Sequence, residues 1–471
     1  MSSVSKNYIY NTAFNILNVI IPLVTAPYLA RILGSEGVGV YSYYYSIASY
    51  FTLFAKLGLT NYGTRLLAAI RDDKESFAKE FSRLYIMQIS VTLVVLMIYI
   101  GFVFLIADNI MLAGIFGLWV FLVAFDTDWV LFALEEFKSC AVRNCIVKVI
   151  TTLSIFLIVR SSDDIWKYAL ITSLGYGFGF IFLWTKCKKY IQFRGVAIQD
   201  VIKHIKPCFI LMIPVIALSI YRTMDKVMLG AMSNMSQTGL YDYAEKLIYC
   251  LTSFISSLGT VMMPRMSHLF AKNDKSSILA YMERSMIFIV FLASGMCFGI
   301  SAVADSLIPI LYGEQFTESI ELLRLLAVTL IFIAWGNIVR TQYAIPSKRD
   351  DVYIGSIVTG AVVNLIINTL LIPKYQAAGA CIGTICAEFS VIVMQAIILK
   401  KELPYIRYIR ITMPFVIFGG LMYVLCCYIE KLLYPGLFTM ILQILFGGLI
   451  YLLISFIYVN KVLRIRIRKK L

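Results

Sequence analysis

Apolar residues in this chain come in long runs separated by short polar stretches, and the runs are longer than a soluble element needs. Crossing the hydrocarbon of a bilayer takes about 20 apolar residues at ~1.5 Å each. Lipid offers no partner to an unpaired backbone group, so each run is expected to be a helix. Fourteen are predicted, at 9–31, 39–63, 84–107, 111–134, 142–160, 166–186, 207–231, 238–262, 284–304, 321–342, 352–373, 377–400, 409–429 and 436–459. The fifth begins inside the polar stretch EEFKSCAVRNC, and the eighth contains Glu245 and Lys246. The expected fold class is an all-α polytopic membrane protein.

The polar positions orient the runs. Cytoplasmic loops carry an excess of Lys and Arg. With both termini placed inside, the outward turns hold Arg31, Arg160, Lys167, Lys374 and Lys431, and the helices hold Lys56, Arg222, Lys226, Lys246 and Arg324. The remaining 32 of the 42 basic residues then fall on the cytoplasmic face, from RLLAAIRDDKESFAKEFSR through KCKKYIQFRG to the tail KVLRIRIRKKL. An even number of spans in a plasma membrane, N and C termini cytoplasmic, is the expected topology. No basic n-region with a cleavage site precedes the first run, so that run is expected to stay in the mature chain.

Composition agrees. The chain is 60% hydrophobic and 15% charged, against about 45–50% and 25% in soluble domains. Its net charge of +15 suits inner loops facing anionic headgroups and calls for no nucleic acid. The ten cysteines mostly lie inside apolar runs without metal-type spacing and read as small buried hydrophobes.

Chemical motifs are few. GSEGVG, residues 34–39, lies between the first two runs with no strand beside it, so its glycines read as a turn and not as a phosphate loop. GYGFGF, residues 175–180, reads as small residues that let helices approach closely. No Walker-type GxxxxGK[ST] is present, so the chain shows no ATPase of its own.

Residues 37–65 align without gaps on 237–265, matching Gly39 with Gly239, Tyr41 with Tyr241, Tyr43 with Tyr243, Thr52 with Thr252, Phe54 with Phe254 and Arg65 with Arg265. Pro22 and Pro214 sit in the preceding runs. Six spans separate the copies, which gives them one orientation across the membrane. The organisation this implies is two parallel six-helix lobes around a central cavity, residues 1–190 and 191–402, followed by a helix pair and basic tail, 403–471.

The stretches PYLARILGSEGVGVYSY, DTDWVLFALEEFKSCAVRN, IYRTMDKVMLG with TGLYDYAEKL, and AAGACIGTICAE resemble the polysaccharide transport family. These are bacterial flippases of undecaprenyl-pyrophosphate-linked oligosaccharides, in the superfamily that also holds multidrug and toxin extruders and lipid II flippases. The resemblance implies a two-lobed, fourteen-helix alternating-access transporter serving surface polysaccharide synthesis. A lipid-linked oligosaccharide is its implied substrate, and polymerase machinery its implied neighbour.

Charges inside the runs mark candidate sites. A Lys or Arg at the bilayer centre costs roughly 2.5–3.5 kcal/mol on insertion scales, so Lys56, Arg222, Lys226 and Lys246 are expected to face a cavity, where they suit an anionic headgroup. Arg222 and Lys226 are four apart, on one helical face. Asp225 and Glu245 lie beside these cations and offer a second reading, structural ion pairs. Asn11, Asn15 and Asn18, and Ser42, Ser46 and Ser49, form polar stripes that line a cavity or join helices. Glu388, Asp126 and Asp128 are candidates to bind a coupling H+ or Na+; no other cofactor is indicated. His204 and His268 are expected to be solvated. A multidrug extruder is the alternative, disfavoured by four buried cations. A membrane polymerase or ligase would need a sizeable outer loop for its reaction site, and the longest here, residues 305–320, carries no Lys, Arg or His.

Overall fold

The computed structural model describes residues 3–190 and 196–463, with side chains for 20–190 and 196–461 except at positions 214 and 221. Asn11, Asn15, Asn18, Pro214 and the tail from 464 onward therefore lie outside the described side chains. Among the described residues there is no strand. Ten helical segments are long and apolar enough to cross a bilayer. Of these, Asp350–Leu399 is two helices joined at Gln376. Ser3–Lys56, two helices joined at Gly34, and Ile205–Met232 are further long helices.

The long helices are α1 (3–33), α2 (35–56), α3 (Lys74–Leu105), α4 (Ile110–Ala133), α5 (Phe137–Ile158), α6 (Ile165–Cys187), α7 (Ile205–Met232), α8 (Met235–Ala271), α9 (Lys275–Tyr312), α10 (Ser319–Ala344), α11 (350–375), α12 (377–399), α13 (Tyr405–Leu433) and α14 (Leu437–Lys461). Residue contacts divide the chain into two compact units, Met1–Gly230 and Ala231–Leu471.

The turn predicted at 34–39 shrinks to one residue. Gly34 alone takes a non-helical conformation (φ 68°, ψ 178°), and Gly37 and Gly39 already belong to α2. That combination is open essentially only to glycine. The second predicted run, 39–63, instead breaks at Leu57 and Gly58, both at positive φ, and resumes as the short helix Leu59–Ala69. A Cβ on Gly58 would lie 2.5 Å from the Cys208 carbonyl oxygen, so the α7 backbone presses against the break.

In the first unit α2, α3, α4 and α6 share a core of Tyr44, Ala48, Tyr99, Phe116, Val120 and Ala169. GYGFGF works as expected. A Cβ on Gly175 would meet Thr151 Oγ1 at 2.6 Å, one on Gly177 would strike Leu122, and one on Gly179 would meet Arg143 Nη1 at 2.9 Å. Contacts of α7 with α2 and the break after it run in opposite chain directions: Gly58 against Met212, the Tyr50 hydroxyl donating to Ser219 O at 3.2 Å, and Tyr43 against Gly230. In the second unit α13 and α14 pack on α9, where Gln443 Nε2 donates to Ala302 O and Cys426 O, both at 3.1 Å, and Tyr451 OH donates to Phe291 O at 2.6 Å.

The aligned tyrosines Tyr41 and Tyr241 each meet a threonine. Tyr41 OH donates to Thr172 Oγ1 at 3.1 Å in the first unit, and Tyr241 OH is 3.2 Å from Thr384 Oγ1 in the second.

Candidate functional site

The site begins with a fault in α4. After Leu122 the helix tightens at Val123–Phe125, opens at Asp126 (φ −71°, ψ 113°) and resumes at Asp128. Such a break leaves backbone groups without helical partners, and within a bilayer these must be satisfied by neighbours. Gln88 on α3 does so, its Nε2 donating to Val123 O at 2.7 Å and Asp126 O at 2.9 Å. Trp129 Nε1 adds bonds to Gln88 Oε1 at 3.0 Å and Asp126 O at 3.1 Å. The carboxylate of Asp126 caps the resumed helix, its Oδ1 accepting from Asp128 N at 3.0 Å.

Two cations close on this break. Lys56, the last residue of α2, pairs with Asp126 Oδ2 at 2.6 Å. Arg143 on α5 pairs with Asp128. Phe180 of α6 lies beneath both, 5.2 Å from Lys56 Nζ and 5.9 Å from Arg143 Cζ by ring centroid. Two cations and two carboxylates leave the cluster formally neutral, which is the condition for holding charge in low dielectric. Accessibility is uneven: the Lys56 side chain is 35% exposed, Asp126 4% and Arg143 6%. Lys56 is thus the open end, with one of its three donors spent on Asp126. Arg143 Nε is buried without a hydrogen-bond partner among the described residues.

The sequence-selected residues Lys56, Asp126 and Asp128 therefore converge. Arg143, Gln88 and Trp129 were not selected. Arg143 stood in a polar stretch assigned to the inner surface, but α5 starts at Phe137, early enough to carry Arg143 well inside the helix. On α7, Arg222 is exposed and Asp225 buried, with Lys226 half-buried between. Tyr50 of α2 lies within electrostatic reach of Asp225 and Lys226.

In the second unit Lys246 pairs with Asp242, one turn back on α8, at 2.6 Å and sits 4.0 Å from the Tyr243 ring centroid. Glu245 beside it is half-buried. Asp242 was not selected from the sequence, although its i, i+4 spacing to Lys246 carried the signal. Glu388 is buried on α12. No group of three His, Cys, Asp or Glu side chains placed to hold a metal occurs among the described residues.

His204 corrects an expectation. It is 3% exposed, not solvated, and its Nδ1 lies 2.9 Å from Tyr62 OH and its Nε2 3.2 Å from Glu80 Oε2. Arg83 pairs with Glu80 and with Asp200, and Lys203 lies 3.6 Å from Asp200. These groups fasten the segment leading into α7 to the start of α3. Burial pushes the His204 imidazole below its ordinary 6.5, against the pull of Glu80. His268 is exposed, as expected.

Comparison with known proteins places this architecture. A Shigella dysenteriae protein provisionally assigned as an O-antigen transporter is 22% identical over 80% of this chain and 94% of its own length. The Staphylococcus aureus capsular polysaccharide biosynthesis protein CapF is 22% identical over 82% of this chain and 96% of its own. The solved structure of the lipid II flippase MurJ, in an inward closed conformation, covers 97% of this chain and all of its own with a TM-score of 0.77 at 15% identity, so the fold is shared. A family model described as polysaccharide biosynthesis protein matches residues 4–270, more than half of the sequence, and the chain belongs to that family.

Proposed function

We propose that this protein is a flippase, not an enzyme, that carries an undecaprenyl-pyrophosphate-linked oligosaccharide from the cytoplasmic to the outer leaflet of the bacterial plasma membrane by alternating access. The observation that carries this reading is the neutral cluster of Lys56, Asp126, Asp128 and Arg143 at a broken helix, the kind of place where transporters bind ions and anionic groups. The similar O-antigen and capsular polysaccharide proteins support the substrate class.

Of the two cations at the broken helix Lys56 is the accessible one, and it meets the pyrophosphate there. Arg222, Lys226 and Lys246 complete a set of cations for the headgroup, and Arg222 can grip phosphate oxygens in pairs. Asp126 and Asp128, released as phosphate takes over the cations, are the groups to bind H+ or Na+, with Glu388 a second carboxyl for the same task. Both termini lie in the cytoplasm, lobes and terminal helix pair divide at residues 190 and 402, and the polymerase machinery receives the product.

Deleting the gene is the test. The expected result is a lipid-linked oligosaccharide accumulating on the cytoplasmic leaflet. Drug sensitivity without such accumulation would instead support an organic-cation extruder.

A further inference from the structure

One feature of the first unit lies outside the charged cluster. Five aromatic rings from three helices stack in series. Tyr168 lies on Tyr41 with centroids 3.9 Å apart and planes 20° apart, and Tyr41 lies on Tyr45 at 5.8 Å and 14°. Tyr45 lies on Trp119 at 5.1 Å and 19°, and Trp119 on Tyr176 at 4.7 Å and 14°. Hydroxyl bonds fix the register: Tyr41 to Thr172 at 3.1 Å, and Tyr45 OH to Tyr176 OH at 3.1 Å.

The array ends in an open ring. Tyr176 is 38% exposed. One of its faces rests on Trp119, so its accessible surface belongs to the other face and the edge. That surface does not point at lipid. On α6, Tyr168, Thr172, Tyr176 and Phe180 recur every four residues and so share a stripe, and Phe180 is 5% exposed. The strongly exposed residues of this helix, Phe178 at 65% and Phe182 at 54%, fall on the opposite stripe. Tyr176 thus opens inward. One turn further on, Phe180 carries Lys56 and Arg143, and on α2 the residues Tyr41, Tyr45, Ser49, Thr52 and Lys56 likewise form one face. Aromatic array and charged cluster are consecutive along the same two helices.

We propose that Tyr176, backed by Trp119 and Tyr45, is a saccharide-binding platform: a sugar ring of the transported glycan stacks its C–H face on the open face of Tyr176 while the anionic group is held at the Lys56 end. Tyrosine and tryptophan suit this task because they present large apolar faces with polar edges, and an array already stacked loses little freedom on binding. The inference rests on the flippase reading and adds where the sugar sits.

The test uses the purified full-length protein in lipid nanodiscs and two probes, undecaprenyl-pyrophosphate oligosaccharide from the host and undecaprenyl pyrophosphate without sugar. Wild type is expected to bind the glycosylated lipid more tightly. Tyr176→Leu, which keeps apolar bulk and removes the ring, should weaken glycosylated-lipid binding about 3- to 10-fold, the range of one aromatic stacking contact. Its binding of the bare lipid should stay within about 2-fold of wild type, as should both affinities of Tyr176→Phe. Unchanged binding of the glycosylated lipid by Tyr176→Leu, or an equal loss for both lipids, overturns the platform. Failure of wild type to bind either lipid overturns the flippase reading beneath it.

Discussion

Lys56 and Asp126 form a pair in which only one partner is accessible, and this asymmetry sets the outcome of removing either. Lys56→Met strands a buried carboxylate, which costs on the order of 2 kcal/mol or more in partly buried settings, so thermal unfolding of the purified protein should move to lower temperature. Replacing both, Lys56→Met with Asp126→Leu, removes the stranded charge and should restore most of that stability. Transport should stay lost in both variants, because Lys56 is assigned to the headgroup. A double variant that regains transport would reduce the pair to a structural brace. At this scale the sequence was informative where charge met hydrophobicity: Lys56, Asp126 and Asp128 announced themselves by their cost. It was silent where a residue's neighbours decide its meaning. Arg143 sat among polar residues that hid its depth, and His204 sat beside Lys203 and Lys206, where a histidine ordinarily faces water.

At the scale of elements, the fastening of the segment 198–204 to α3 predicts a pH response. The folded protein holds His204 neutral more firmly than an unfolded chain does, so its imidazole takes a proton less readily when folded than at the ordinary 6.5. The unfolded state then binds more protons as pH falls, and this group's stabilising contribution is complete above about 6.5 and declines below it. Melting curves from pH 8 to 5 should show that decline, and His204→Gln, which keeps a hydrogen-bonding side chain without the titration, should flatten it. An unchanged slope in the variant would assign the pH response elsewhere. The helices themselves were legible because lipid enforces them. Their faults were not: the opening at Asp126 and the break at Leu57 and Gly58 depend on Gln88 and Cys208, residues distant in sequence that satisfy or crowd the backbone.

For the whole molecule, the proposed orientation is the property most open to a direct check. In a cysteine-free background, single cysteines at Ser35 and at Glu314 should react from outside with an impermeant thiol reagent, and one at Lys188 should not. Reversed labelling would invert the topology and with it the direction of transport. The repeat belongs to this scale too. One identity of the gapless alignment, Tyr41 with Tyr241, corresponds to matching tyrosine–threonine contacts, Tyr41 with Thr172 and Tyr241 with Thr384. The threonine partners lie outside the aligned window, where the alignment could not reach.

The single-residue join at Gly34 bears on how this molecule tolerates change. Ordinary loops absorb an inserted or deleted residue as slack, but here α1 hands directly to α2, and each added residue would turn α2 by about 100° about its own axis. Tyr41, Tyr45 and Lys56 share one face of that helix, so a single insertion would swing the stacked rings and the exposed cation out of phase together. The join acts as a keyway: it fixes the angular setting of the helix that carries both, and chain length at this point is held as strictly as residue identity.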